Sequence, residues 1–250
     1  MKQEEIYIKS TKDGSLQPSI FFGASKEGRP MLVGLHSWSC DRYNLIDRLL
    51  PLAQKHDFNL LLPNFRGANL KNNINRTKAL GSEFAKQDIK DAIDFFSDER
   101  GIDKSNVFLL GASGGGHMAL MMAGFCPSYF KAIAAFVPIT DLKKWAEENQ
   151  NYREHILACC DDSEAEMQGR SPISYIDKIA TSNLKIFHGK QDRVVPFSHS
   201  LLLYNKLIEK YPQSSVFLDI FDGGHELDLE AAEKWILSQY KTRQAMFITG

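Results

Sequence analysis

The sequence has no excess of charge of either sign and no long apolar run. Lysine and arginine together number 30 against 31 aspartates and glutamates, a net charge of −1, and no basic cluster alternates with aromatic residues. Nucleic acid is therefore not expected as a partner. No apolar run approaches the roughly 18–20 residues of a membrane span, and the first residues, Met1 to Glu5, lack the apolar core of a secretion signal. We therefore expect a cytoplasmic protein with no membrane partner.

Cysteine is scarce, and its spacing does not suit a metal site or a disulfide framework. The four cysteines are Cys40, Cys126, Cys159 and Cys160, with no C-x-x-C pair among them. Two adjacent cysteines rarely form a relaxed disulfide, so we expect free thiols. Cys40 could be proposed as a nucleophile, but no strand–turn–helix pattern accompanies it, and we discount it.

The chain does contain enough apolar residues for a large core. Its 250 residues are 43% hydrophobic and 24% charged, and this length suits one large α/β domain or two small ones. Strand-like apolar runs alternate with segments of helical period, without internal repeats or a low-complexity linker. This alternation predicts a single α/β domain over residues 1–250, with a mostly parallel sheet covered by helices on both faces. The predicted strands of this sheet are 31–35, 59–63, 107–110, 132–138, 184–188 and 216–221, of which 31–35 and 59–63 are expected to be buried.

Three segments depart from this regular alternation. Two short β-rich runs within residues 6–22 flank Lys12-Asp13-Gly14-Ser15, which predicts an N-terminal hairpin. Pro51 lies inside a predicted helix over 43–55 and is expected to kink or end it. Residues from about Asp141 to Ser171 are charged and lack a clear strand; we interpret them as a small helical cap over the site, with a surface excursion as the alternative.

The chain is organised around a glycine-flanked serine between a predicted strand and a predicted helix. Gly111-x-Ser113-x-Gly115 follows the apolar run 107–110 and precedes an Ala/Met/Leu segment. This is the pattern of a nucleophile elbow. Its glycines have a physical reason, because side chains beside the serine would collide with the neighbouring strand and helix. A glycine-rich packing loop or a phosphate-binding loop is the alternative interpretation.

A serine hydroxyl becomes nucleophilic only when a neighbouring base takes its proton, and the base needs a group to orient it. His225 lies in a glycine turn after the last predicted strand, and Asp192 lies in the loop after the preceding one. Catalytic sites of parallel sheets gather at the carboxyl ends of strands, and the chain order serine–acid–histidine is that of α/β-hydrolases. The alternatives are that Asp192 caps the next helix and that His225 is a helix-start or core histidine.

The remaining histidines receive structural or surface interpretations. His36, which follows a predicted strand, is interpreted as a hydrogen-bonded structural residue. His117 lies inside the elbow helix, where it packs or lines the floor of the site. We expect His56, His155 and His199 at the surface.

An oxyanion needs two backbone N–H donors. The Gly114 amide, at the N-terminus of the elbow helix, is the first candidate. The loop His36-Ser37-Trp38-Ser39 is expected to supply the second donor, and we choose the Trp38 amide. The Trp38 indole then walls the acyl or leaving-group pocket, or alternatively packs in the core.

Several motifs occur together in this chain: Asn64-Phe65-Arg66-Gly67, Gly111-Ala112-Ser113-Gly114-Gly115, Ser171-Pro172, His188-Gly189-Lys190-Gln191-Asp192-Arg193-Val194-Val195-Pro196 and Gly224-His225. As a set they resemble the catalytic domain of the prolyl-oligopeptidase family and its esterase relatives within the α/β-hydrolases. The resemblance extends from about Met31 to the C-terminus. It implies the α/β-hydrolase fold, a Ser113–Asp192–His225 triad and hydrolysis through an acyl-enzyme. It also implies that Arg66 serves the scaffold, by pairing with Asp88.

The sequence departs from that family pattern in three respects. Ser37 stands where members usually carry a glycine, a difference that bears on the oxyanion loop. That loop begins at His36, so the β-propeller that precedes the family's peptidase domains is not expected. No acidic pair in the predicted cap suits the amino terminus of a peptide. The last two departures favour an esterase over a peptidase.

The sequence therefore predicts a serine hydrolase that cleaves carboxylic esters of small or medium substrates and requires no metal or organic cofactor. One alternative is a prolyl-oligopeptidase-like exopeptidase acting on short peptides. Others are an acyltransferase with the same acyl-enzyme and a non-catalytic ligand-binding member of the fold. The acyl group, the alcohol and the oligomeric state do not follow from the sequence.

Overall fold

The short apolar runs of the sequence form the strands of one sheet. A computed structural model describes the backbone of residues 1–246 and the side chains of residues 1–240. Its strands are β1 (Gln3–Lys9), β2 (Leu16–Phe22), β3 (Met31–Leu35), β4 (Asn59–Pro63), β5 (Val107–Ala112), β6 (Ala132–Phe136), β7 (Leu184–Gly189) and β8 (Val216–Phe221). They hydrogen-bond in the order β1-β2-β4-β3-β5-β6-β7-β8.

Most of this sheet is parallel. The predicted hairpin is confirmed, since β1 and β2 pair antiparallel from Gln3 opposite Phe22 to Lys9 opposite Leu16. β2 also runs antiparallel to β4, and every neighbouring pair from β4 to β8 is parallel. As a result β3, β5, β7 and β8 end at the same edge of the sheet, where the loops that follow them can meet.

Helices cover both faces of the sheet, as predicted. Those described are α1 (Ile46–His56), α2 (Glu83–Glu99), α3 (Gly114–Phe125), α4 (Leu142–Glu148), α5 (Gln150–Cys159), α6 (Glu164–Gly169), α7 (Ile176–Ile179), α8 (Ser198–Lys210) and α9 (Leu229–Met246). Apolar residues of α2, α3, α7 and α8 form the core on one face. Those of α1 and α9 form the core on the other face. The architecture is that of an α/β-hydrolase.

The helix boundaries correct two expectations. Pro51 does not end α1. The helix continues to His56 because its buried stripe, which includes Leu49 and Ala53, packs against the sheet. The helical spacing of apolar residues in the sequence predicts a helix over 87–98, and α2 begins four residues earlier, at Glu83. Its start is fixed by Ser82, whose hydroxyl accepts a hydrogen bond from the Ala85 amide at 3.2 Å.

Residues 141–171, interpreted as a cap from the sequence, contain α4, α5 and α6. A separate apolar cluster packs these helices against the edge of the sheet where β3, β5, β7 and β8 end, which we call the catalytic edge. The cluster includes Leu80, Ile139, Trp145 and Val195. The segment is therefore helical and packs through its apolar residues, and its function as a cap over the site stays a prediction.

The four cysteines are free thiols, as expected. Burial raises the pKa of Cys159 to about 11 and that of Cys126 to about 12, so both thiols stay protonated at neutral pH. Within the described part of the chain, no helix combines the length and the apolar character that a bilayer crossing requires.

Arg66 is buried and forms the centre of an ionic cluster with two aspartates. Its guanidinium donates to both carboxylate oxygens of Asp88, one of them at 3.1 Å, and to both oxygens of Asp13 at 3.0 Å. The bonds from Arg66 hold the pKa of Asp13 well below its usual range. The pairing of Arg66 with Asp88 is thus confirmed, and it joins the start of α2 to the loops that follow β1 and β4.

Replacing Arg66 by methionine is expected to lower the free energy of unfolding by about 3 kcal/mol, because Asp88 then remains buried without its partner. Urea unfolding at pH 7 measures this loss. The matched control is Arg100→Met, which removes a pair with Glu4 whose side chains are 42% and 35% exposed and is expected to cost less than about 1 kcal/mol. Equal losses in the two variants would contradict the assignment.

Candidate active site

Ser113 occupies a strained turn between β5 and α3. Its backbone has φ 58° and ψ −119°, a conformation that residues with a side chain rarely adopt. Two hydrogen bonds fix the turn: the Ser113 amide donates to the Phe136 carbonyl at 2.9 Å, and the His117 amide donates to the Ser113 carbonyl at 2.8 Å. The serine side chain is therefore presented at the carboxyl end of the central strand.

The glycines around Ser113 are required by close backbone packing. A Cβ on Gly111 would lie 2.2 Å from the Gly115 carbonyl oxygen, and one on Gly115 would lie 2.1 Å from the Leu35 carbonyl oxygen. Both distances are far below van der Waals contact with atoms of the main chain. The turn thus has the closely packed, strained geometry of a nucleophile elbow, and the same contacts pack α3 against the sheet, as the alternative of a packing loop also predicts.

The structure brings Ser113, His225 and Asp192 together at the edge of the sheet. The His225 ring lies between the other two, with Nε2 at 2.8 Å from Ser113 Oγ and Nδ1 at 2.7 Å from Asp192 Oδ2. An ionised carboxylate only accepts hydrogen bonds, so Nδ1 carries the proton and donates it to Asp192. Nε2 of the neutral ring then accepts from the serine hydroxyl. The predicted residues therefore share one hydrogen-bonded chain.

Asp192 is buried, yet its carboxylate is well satisfied. Oδ1 accepts from the amides of Val194 at 2.8 Å and Val195 at 2.9 Å, and Oδ2 accepts from His225. Burial alone would raise the pKa of Asp192, but bonds from His188 and His225 outweigh it and hold the pKa well below the usual range. The carboxylate therefore stays ionised at neutral pH. Both amides belong to the loop before α8, and α8 begins without a side-chain cap, so the alternative that Asp192 caps the next helix does not describe this structure.

His188 is a second histidine beside Asp192 whose position the sequence did not predict. Its ring is inaccessible to solvent, with Nε2 at 3.0 Å from the Val195 carbonyl oxygen and 3.3 Å from Asp192 Oδ2. Both of these groups are acceptors, so Nε2 carries the proton. Nδ1 accepts from the Ser200 hydroxyl at 2.7 Å. His188 thus holds the loop that contains Asp192 (residues 190–197), which we call the acid loop.

The two amides predicted as oxyanion donors lie next to each other. A Cβ on Gly114 would approach the Trp38 nitrogen to 2.6 Å, so the oxyanion loop packs directly on the first residue of α3. The Gly114 amide has no acceptor within its own helix. Ser37, the departure from the family pattern, donates its amide to Asn44 Oδ1 at 3.0 Å. That bond ties the loop to the chain preceding α1.

The Trp38 side chain packs in the core instead of walling an open pocket. It is 2% exposed, and its ring meets Trp145 edge-on with centroids 4.9 Å apart and Tyr152 at 5.7 Å. Of the two interpretations given from the sequence, the core tryptophan describes this structure. The indole N–H of Trp38 is buried without a hydrogen-bond partner among the described residues.

The other histidines are mostly structural. His36 is buried between the Ser37 and Asn64 carbonyls and stacks on Phe65, as expected of a structural residue. His117 is also buried, and burial lowers its pKa to about 4, so its ring is neutral.

The surface interpretation of His199 is wrong. The side chain is inaccessible to solvent, its Nδ1 accepts from the Thr140 amide at 3.3 Å, and its Nε2 donates to Glu148 at 3.0 Å. His199 therefore joins α8 to the end of α4. A histidine one residue inside a helix carries no sequence signal for such a distant partner.

The described residues also include donors to the acid loop that the sequence did not reveal. Trp145 Nε1 and Asn149 Nδ2 both donate to the Val194 carbonyl, at 3.0 and 3.1 Å. No group of three or more His, Cys, Asp or Glu side chains in the described part of the chain is arranged to hold a metal ion.

Three comparisons with known proteins bear on this geometry. The family model described as "Prolyl oligopeptidase family" matches residues 48–244. Acylamino-acid-releasing enzyme 1 of Oryza sativa subsp. japonica is 28% identical over 209 residues, which cover 76% of this chain and 26% of that protein. Inactive dipeptidyl peptidase 10 of Mus musculus is 30% identical over 145 residues, 58% of this chain and 17% of that protein.

A solved structure supports the fold. The uncomplexed acylaminoacyl peptidase of Pyrococcus horikoshii superposes with a TM-score of 0.72 at 18% identity, covering 98% of this chain and 41% of that one. The chain spans about a quarter of the length of the rice relative and under half of the archaeal one.

Replacing Gly114 by alanine is expected to lower kcat/KM for an activated ester about 100-fold, the scale of losing an oxyanion donor. The added Cβ would displace the Trp38 amide from its place beside α3. Steady-state kinetics with p-nitrophenyl acetate measures the effect. Gly169→Ala is the matched control, because no heavy atom lies within 4 Å of a Cβ placed there; a loss of the same size in this control would contradict the prediction.

Proposed function

Because this chain belongs to the prolyl oligopeptidase family of serine hydrolases, we propose that it cleaves short peptides through an acyl-enzyme on Ser113. The observation that carries the proposal is the His225 ring, held at hydrogen-bond distance from both Ser113 and Asp192. The choice of peptides over esters is supported by the relatives, whose names describe the release of acylated amino acids.

The first half of the reaction forms the acyl-enzyme. Ser113 Oγ attacks the carbonyl carbon while His225 Nε2 takes the hydroxyl proton as general base. Asp192 holds the ring in the required tautomer and stabilises the imidazolium that forms. The amides of Gly114 and Trp38 donate to the developing oxyanion. His225 then gives its proton to the leaving amine.

The second half repeats these roles with water. Water loses a proton to His225 and attacks the acyl carbonyl, and the collapse of the second oxyanion returns the proton to Ser113. The hydrogen bonds of His225 to Ser113 and Asp192 support this scheme, which requires neither a metal nor an organic cofactor.

The names of the relatives favour a substrate whose amino terminus is acylated. We propose that residues 141–171 cover the substrate, and four of the eight carboxylates in this segment have a lysine, arginine or histidine partner. Glu148 pairs with Lys144 and His199, Glu154 with Lys71, Glu164 with Lys143, and Glu166 with Arg170. An acylated amino terminus carries no charge, so it would need none of these carboxylates as a partner.

Ester hydrolysis is the second candidate. The same acyl-enzyme forms more easily from an ester than from an amide, since an alkoxide or phenolate leaves without prior protonation. The missing acidic pair noted in the sequence favours this candidate as much as it favours acylated peptides. A substrate panel therefore has to separate the two.

We also propose that the protein works in the cytoplasm, a reducing compartment. The four cysteines are free thiols, and Cys159 and Cys160 are buried next to each other without a disulfide. Reducing conditions keep such thiols in this state.

Replacing Ser113 by alanine is expected to lower kcat about 10⁴-fold or more, because the covalent path is lost while the oxyanion donors remain. Labelling with a fluorophosphonate, read by intact mass, is expected to modify wild-type protein and leave this variant unmodified. A wild-type protein that resists the probe would favour the non-catalytic member of the fold, the class that its inactive relative represents.

Among chromogenic substrates, N-acetylalanyl p-nitroanilide is expected to give a kcat/KM about ten-fold or more above that of alanyl p-nitroanilide, roughly the effect of one unpaired charge. Butyryl p-nitrophenyl ester serves as the reference for ester cleavage. Turnover of the ester without either anilide would reject the peptidase and support the esterase. A preference for the free amine would reject the acylated substrate class.

A further inference from the structure

One peptide unit connects the helical cap to the catalytic carboxylate. The Val194 carbonyl and the Val195 amide belong to the same planar group. The amide donates to Asp192 Oδ1 at 2.9 Å. The carbonyl, on the opposite side of the group, faces the cap. Whatever fixes this carbonyl therefore also fixes a donor to Asp192.

Two side chains of the cap hold that carbonyl. Trp145, on α4, donates its indole N–H at 3.0 Å, and Asn149, immediately after α4, donates its amide N–H at 3.1 Å. Both lone pairs of the carbonyl are thus in use. Trp145 is inaccessible to solvent and is one of the largest fully buried side chains, so its position is set by packing and not by the surface.

The helix α4, which contains Trp145 and ends just before Asn149, is held by hydrogen bonds at both ends. Asp141 accepts from the Lys144 amide at 3.0 Å and caps the first turn of α4. At the other end Glu148 pairs with the buried ring of His199 at 3.0 Å. Because α8 begins directly after the loop that contains Asp192, this hydrogen bond joins α4 to the segment next to that loop.

We propose that Trp145 and Asn149 are positioning residues that hold Asp192 through the Val194–Val195 peptide unit, so that the cap is part of the catalytic apparatus. This inference rests on the proposed function, in which Asp192 orients His225. Hydrogen bonds in series polarise one another, so donors on the carbonyl strengthen the Val195 bond to Asp192. They also prevent rotation of the peptide unit, which would turn that amide away from the carboxylate.

Replacing Trp145 by phenylalanine tests the connection, because the aromatic packing is kept and the N–H is lost. We expect kcat to fall about ten-fold, the value of one strong hydrogen bond, with KM changed less than about two-fold. The matched control is Trp235→Phe. Trp235 also donates its indole N–H to a main-chain carbonyl, that of Ile133 at 3.0 Å, but on α9, with no connection to Asp192. Its kcat is expected to stay within about two-fold of wild type.

The same substitutions in an Asp192→Asn background separate positioning from packing. If Trp145 acts through Asp192, Trp145→Phe adds less than about two-fold to the loss already caused by Asp192→Asn, because the two losses are not additive. Asn149→Ala is the second variant, with the same pattern expected, and it keeps the test valid should Trp145→Phe fold poorly. Thermal unfolding of all variants monitors folding.

Two results would overturn the inference. One is a loss in Trp145→Phe or Asn149→Ala no larger than that in Trp235→Phe. The other is an equal loss in both backgrounds, which would place the effect elsewhere, such as at Trp38. Asp192→Asn alone is expected to lower kcat about 10⁴-fold. If it does not, the proposed function fails and the inference fails with it, whereas a large loss there with no effect of the cap variants rejects the inference alone.

Discussion

The catalytic edge depends on the burial of one carboxylate. The Asp192 side chain is inaccessible to solvent, and burying a charge costs on the order of several kcal/mol unless hydrogen bonds replace water. Here the replacements come from separate parts of the chain: two amides of its own loop, His188 at the end of β7 and His225 beyond β8. The charge of the carboxylate is therefore stabilised jointly by groups from the end of β7, the loop after it and the turn after β8.

A second constraint acts on the nucleophile. The positive φ of Ser113 is strained, and it persists because the surrounding main chain leaves no room for relaxation. Gly115 packs on the carbonyl of Leu35 and Gly114 on the amide of Trp38. The contacts that hold the serine in its turn therefore also bring the oxyanion loop beside it. Parallel pairing of β3 with β5 makes this approach possible, because both strands end at the same edge.

The sequence predicted the parts of the site that local chemistry determines. The elbow, the chain order of Ser113, Asp192 and His225, and the parallel sheet all follow from turn residues and apolar periods, and the structure brings the three side chains together; their catalytic roles stay a prediction. What the sequence did not reveal are pairings across long separations. His199 bonds Glu148, and Trp145 bonds the loop that contains Asp192. No periodicity or spacing in the sequence predicts either hydrogen bond, because the partners are about 50 residues apart in the chain.

These long-range contacts join residues 141–171 to the two loops that carry Trp38 and Asp192. Trp145 contacts Trp38, whose amide is a proposed oxyanion donor, and bonds the loop that holds Asp192. Acyl transfer requires the oxyanion donors and the imidazole to be in position in the same step, and a misplacement of about 1 Å is enough to slow it about 100-fold. A single rigid indole that touches both loops meets this requirement without additional elements. A displacement of α4 would therefore disturb the Trp38 contact and the Val194 hydrogen bond together, because the same buried side chain makes both.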